Sequence, residues 1–119
     1  MSISVTTPGV GKFGFFLNAT SANASGCEEL KAAPSAGLSI YVDHLTISSD
    51  SAITVSIGES ETTPGSPDTV LLGPVPFAVN QCIQWNFLNG GMKLTAAKSL
   101  VVDASGAGNI NVFISGRVE

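Results

Sequence analysis

The chain has 119 residues, enough for one domain built around one core. Hydrophobic residues make up 44% and charged residues only 12%, about half the usual charged share, and Ser, Thr and Asn fill the difference with 31 positions. This balance argues against a disordered chain, and five scattered basic residues against nine acidic ones (net charge −4) leave no cationic patch for nucleic acid.

Residues 1–26 read as an N-terminal arm and first strand. Met1 is followed by Ser2, Ser4, Thr6 and Thr7, with no basic or apolar leader, so a secretory signal is not expected. Lys12-Phe13-Gly14-Phe15-Phe16-Leu17 is an aromatic strand between polar, small-residue flanks. It serves either as the first strand of the domain or as an arm that packs on a partner chain. Phe13, Phe15 and Phe16 are therefore the candidate contacts with another subunit or a larger assembly. The triplets Asn18-Ala19-Thr20 and Asn23-Ala24-Ser25 fit glycosylation acceptors, which carry no weight without secretion. No apolar stretch approaches the ~20 residues of a membrane-spanning helix.

Residues 27–119 form the main domain. Glu28 to Ala33 is the one window with any helical character, and Pro34 ends it within two turns. Leu38, Ile40 and Val42 alternate with polar residues, the period of a half-buried strand. The phase then slips by one, to Leu45 and Ile47, which predicts a β-bulge near Asp43–His44. Ile53, Val55 and Ile57 form the next strand, with Thr54 and Ser56 outward. Ser48 to Ser51 is expected to turn the two into a hairpin. Val70–Leu72 and Val75–Val79 are apolar, but Pro74 and Pro76 restrict them to an edge or a connection. Ile83, Trp85 and Phe87 share one face of a strand, and Asn89-Gly90-Gly91 turns into Met92 and Leu94. Leu100 and Val102, a turn at Ser105–Gly108, and Ile110, Val112 and Ile114 complete the series. Short strands at this spacing predict an all-β, antiparallel fold, a β-sandwich or barrel, and the sandwich of about eight strands is the expectation taken forward.

Chemistry is sparse. His44 is the only histidine, and neighbours Asp43 and His44 on one strand point to opposite faces, so a Ser-His-Asp arrangement is not expected. One histidine and two distant cysteines make no zinc signature, and no cofactor is called for. Cys27 and Cys82 read as two reduced thiols, with a single long-range disulfide as the alternative. Glu28–Glu29 and Glu59–Glu61 are the acidic clusters. The second is expected to be a solvated loop edge, too poor in oxygen ligands for calcium. Gly106-Ala107-Gly108 opens no helix and is no phosphate cradle. Trp85 and Tyr41 suit a sugar-stacking platform, although the alternation turns Trp85 toward the core.

The small-residue turn and long strand from Lys31 to Val42, Gly73-Pro74, the strand from Cys82 to Leu88, Ser99 to Val102, and the closing Gly108 to Gly116 resemble, in that order, the small jelly-roll proteins of tailed-phage virions. Capsid decoration (cement) proteins and related fibre-head modules are the nearest in pattern, over roughly residues 27–118. The resemblance implies a jelly-roll-like subunit, often a homotrimer, that binds the major capsid protein on the outer surface of the virion after assembly in the host cytoplasm. No catalytic residues come with it, and neither nucleic acid nor membrane is an implied partner. A carbohydrate- or receptor-binding fibre module is the alternative.

Overall fold

A computed structural model describes residues 3–6, 14–22, 27–61 and 67–119. Among them are ten strands and no helix: β1 (Ser4–Thr6), β2 (Gly14–Ser21), β3 (Cys27–Lys31), β4 (Ile40–Ser49), β5 (Thr54–Ser60), β6 (Thr69–Pro76), β7 (Gln81–Asn86), β8 (Met92–Lys93), β9 (Ser99–Ala104) and β10 (Ile110–Val118). The two beyond the expected eight or so are short pieces, β1 and β8.

The strands form two antiparallel sheets packed as a sandwich. One runs β1-β2-β10-β4-β7, with β8 also on β4; the other runs β3-β9-β5-β6. The pairings are nested: β2 with β10, β3 with β9, β4 with β7 and β5 with β6. The chain is thus one long antiparallel ribbon folded back at β5–β6. Rolling that ribbon brings β10 beside β4 and β9 beside β5.

Alternation decides which side chains fill the sandwich. Phe15, Leu17 and Ala19 on β2, Ile110, Val112 and Ile114 on β10, and Ile40, Val42, Leu45 and Ile47 on β4 are buried from one side. Val55 and Ile57 on β5 and Leu100 and Val102 on β9 meet them from the other, with Leu94 from the segment after β8. Ile83, Trp85 and Phe87 pack partly against this core, as their spacing predicts. Fully burying one such aliphatic side chain contributes about 1.5–3 kcal/mol.

Three local expectations meet the structure differently. The bulge falls where the parity change put it: Ser115 pairs with His44 and Gly116 with Val42, so Asp43 is the extra residue. The expected β4–β5 hairpin does not form. Both edges of β4 are already occupied, by β10 and by β7 with β8, so β5 crosses to the other sheet and the Ser48–Ser51 bend is an arch between layers. In that bend Ser49 Oγ donates to Ser51 O at 2.7 Å and accepts from Ser51 N at 3.1 Å. The Glu28 segment, the sole helical candidate, is strand β3, an edge of the second sheet.

Ser56 does face away from the core, yet it is buried with Gly58 and Ser60. The chain that follows β5 returns over this side: a Cβ on Gly58 would lie 2.8 Å from Pro67 Cβ and 2.5 Å from Thr69 O. β6 is the opposite edge strand, as its prolines require.

Candidate functional site: the outer face of the six-stranded sheet

Cross-strand register lays outward side chains of β2, β10, β4 and β7 in three rows, and a fourth at the end of the sheet holds Arg117, Tyr41 and, on β8, Lys93. The first is Thr20, Asn111, Ser48, Cys82; the second Asn18, Phe113, Thr46, Gln84; the third Phe16, Ser115, His44, Asn86. None of these twelve residues is Asp, Glu, Lys or Arg: four hydroxyls, four amides, two phenyl rings, the Cys82 thiol and the His44 imidazole make up the rows. Phe16 and Phe113, 38% and 43% exposed, sit with ring centroids 5.8 Å apart and planes tilted by 39°.

The third row ends in a depression of about 550 Å³ lined by Phe16, His44, Asn86, Leu88 and Ser115 among others, with Leu88 80% exposed. His44 Nδ1 lies 2.5 Å from Asn86 Oδ1. Among the described residues its polar partner is thus a side-chain amide and not a carboxylate. The neighbouring acid is drawn off: Asp43 Oδ1 accepts from Arg117 Nη1 at 2.9 Å, while Nη2 donates to Gly90 O at 2.7 Å. The same guanidinium lies 4.5 Å over the Tyr41 ring, and Lys93 Nζ lies 5.8 Å from it. Both cations therefore cover Tyr41, and Trp85 faces inward, so the two rings form no exposed sugar platform.

Two glycines make the bulge geometry possible. A Cβ on Gly116 would stand 2.0 Å from Tyr41 O. Gly91, at φ 92°, would bring one to 2.7 Å from Asp43 Oδ1. Any side chain there would push the turn or the strand away from the bulged residue.

At the opposite end, a depression of about 530 Å³ is lined by Thr20, Ser48, Asp50, Cys82, Asn109 and Asn111 among others. Asp50 ties the β4–β5 arch to the β9–β10 turn. Its carboxylate accepts from Asn109 N at 2.8 Å, Asn109 Nδ2 at 2.9 Å and Ser51 Oγ at 2.8 Å. These bonds hold its pKa below the ordinary value, the Asn109 backbone N–H contributing most. The sequence marked Asp50 only as a turn residue and Arg117 not at all, because Asn109 and Asp43, the contacts that set their roles, lie 59 and 74 positions away.

The remaining sequence candidates separate. Of the three phenylalanines, Phe15 lies in the core at 5% exposure, Phe16 lies on the outer face, and Phe13 falls outside the described residues. Cys27 and Cys82 are both free thiols, the first buried on β3 in one sheet and the second exposed on β7 in the other. Burial pushes the Cys27 thiol pKa up, and the Asp103 charge adds to it. Burial also raises the Asp103 carboxyl.

Glu59 departs from the solvated edge expected of it. At 4% exposure it accepts from Thr95 N at 2.9 Å and Thr95 Oγ1 at 3.0 Å, tying the β8–β9 connection to β5. Odd numbering puts it on the Val55–Ile57 side, where the sandwich needs a closing contact. Glu61, past the end of β5, is exposed and pairs instead with Lys98 Nζ at 3.4 Å; Asp68 holds the same ammonium at 2.9 Å. Glu28 is buried, with Ser21 Oγ donating to its Oε1 and no hydrogen-bond partner for Oε2 among the described residues.

Among the described residues no group of three His, Cys, Asp or Glu side chains is placed to hold a metal ion. No family model, curated protein or solved structure matches this chain.

Proposed function

We propose that this protein is a structural docking subunit of a phage virion, a capsid decoration protein that seats the outer face of its six-stranded sheet on the assembled outer shell of major capsid protein. One observation carries the reading: the twelve side chains in three adjacent outward rows include no Asp, Glu, Lys or Arg, and the nearest cations, Arg117 and Lys93, lie in the row beyond them at the end of the sheet. Hydroxyls and amides that find partners across an interface cost far less to desolvate than ions do. The exposed Phe16–Phe113 pair supplies apolar anchors within that polar field. The nested strand pairings, which match a ribbon rolled into a jelly roll, support the structural class. A protein that binds only the assembled shell stabilises that shell by mass action, with no chemical step.

The test is co-sedimentation with shells assembled from the major capsid protein of the encoding genome. Wild type pellets with the shells, and Asn18→Lys, which plants a charge in the middle row, lowers the affinity at least about tenfold (roughly 1.4 kcal/mol). Shells that leave wild type in the supernatant, or bind the variant equally well, refute the assignment. The same aromatic pair beside polar side chains also fits a carbohydrate-binding fibre module; a glycan array with reproducible hits lost in Phe113→Ala selects that reading.

A further inference from the structure

Among the described residues five strands stand at sheet edges: β1 on one side of the first sheet, β7 and the short β8 on the other, and β3 and β6 in the second sheet. An open edge offers unpaired N–H and C=O groups to any passing strand, and proteins blunt such edges with charge, proline, bulges or brevity. Four of the five are blunted. β1 is three residues long, and β8 is two and carries Lys93. β3 carries Glu28, Glu29 and Lys31 and a register break between Glu29 and Lys31. β6 contains Pro74 and Pro76 and meets β5 through two register breaks.

β7 has none of these devices. Gln81-Cys82-Ile83-Gln84-Trp85-Asn86 holds no charge and no proline, and pairs with β4 in unbroken register over all six residues. Phe87 N donates to Asp43 O at 3.0 Å, so the odd-numbered amides of this strand face β4. By alternation, the backbone groups of Cys82, Gln84 and Asn86 point off the open edge.

We infer that the β7 edge is an interface, and that its occupant is the β7 strand of a second copy of this chain, paired antiparallel about a twofold axis. A twofold contact sets like against like, and an edge without charge has nothing to repel its own copy. The ends are complementary. Asp50 follows β4 at the Gln81 end, where Ser49 faces Gln81, and Lys93 on β8 lies beyond the Asn86 end, opposite Tyr41. Antiparallel pairing therefore brings the acidic end of each copy to the basic end of the other. The partly buried rims of Ile83 and Trp85 gain cover at the same time. The two six-stranded sheets become one continuous sheet, and their outer faces lie side by side on it. The association is twofold, in place of the threefold one implied by resemblance, and it does not depend on what the face binds.

Light scattering and sedimentation on the full chain at tens of micromolar test this. Wild type is expected at twice the 12.1 kDa chain mass. Gln84→Pro removes an outward N–H and Gln84→Lys sets like charges near the axis, and both variants are expected at the single-chain mass with wild-type circular dichroism. Asn18→Lys, on an interior strand, is expected to remain dimeric while losing shell binding, which separates the two interfaces. Wild type at the single-chain mass or at three times it, or a dimer retained in both Gln84 variants, overturns the inference.

Discussion

Deleting Asp43 tests the link between chain phase and fold. The residue is the extra one in β4, opposed to nothing on β10 between the Ser115–His44 and Gly116–Val42 pairs. Without it Val42 runs directly into His44, β4 pairs straight in the same register, and Ile40, Val42, Leu45 and Ile47, all 0% exposed, stay on the core face. The loss is confined to a partly exposed ion pair with Arg117, worth at most about 1 kcal/mol. At roughly 4 °C per kcal/mol, the melting temperature should fall by about 4 °C or less. Deleting Thr46, a paired residue, has no such outlet. It sets Ile47 directly after Leu45, and at least one aliphatic side chain leaves the core face whichever way the register adjusts. That costs about 1.5–3 kcal/mol of the about 5–15 kcal/mol that a domain of this size holds. This variant should melt about 6–12 °C lower. Thermal unfolding followed by circular dichroism measures both, and an Asp43 deletion that melts as low as the Thr46 deletion refutes the argument.

Two further outcomes follow from the polar contacts. Asp50 and Asp68 both have depressed pKa values, Asp50 chiefly through the Asn109 backbone N–H and Asp68 chiefly through the Lys98 hydrogen bond. A depressed carboxyl contributes stability above its ordinary value of 3.8 that is lost as pH falls through the folded-state value. Urea unfolding at a series of pH values should therefore show wild type and Asp50→Asn converging below pH 3.8, and a constant gap between them contradicts the Asn109 tie. Thiol titration at pH 8 should show one fast equivalent per chain from exposed Cys82. The second, from buried Cys27 with its raised pKa, should appear only on unfolding. Two fast equivalents in the native protein disprove that burial.

Much of the sandwich was legible because the period of two is set by the backbone itself. The change of phase between Val42 and Leu45 placed the bulge at the pair Asp43–His44, because a bulge keeps both halves of one strand facing the same core, and the register shows Asp43 to be the extra residue. Pro74 and Pro76 marked an edge for an equally local reason. Pairing partners were not legible. Alternation gives a strand its faces but not its neighbours, so the arch at Ser48–Ser51 read as a hairpin. For β3 the competing signal was composition: Glu, Leu, Lys and Ala favour a helix, and pairing with β9 overrides that preference. Glu59 was misjudged because acidic residues beside a Pro/Gly/Ser loop are usually solvated. Its burial depends on Thr95, 36 residues away, which reaches it only once β8 and β9 are in place. The three uncharged rows belong to the same class, since they exist only in the cross-strand register.

The bulge and that face have one physical basis. In a straight β4, Asp43 and His44 would fall on opposite faces, and the acid would enter either the core or the outward rows. The extra residue lifts Asp43 out of the ladder toward the end of the sheet. There Arg117 neutralises it while being held itself by Gly90 O and the Tyr41 ring. His44 is left in the third row between Ser115 and Asn86, its nearest polar partner an amide. Carrying the extra residue as a bulge thus keeps four aliphatic side chains buried and keeps Asp43 out of the three outward rows. Replacing Arg117 should for that reason weaken shell binding more than it weakens the fold: a freed Asp43 carboxylate at the rim must be desolvated on docking, whereas in the unbound protein water solvates it at little cost.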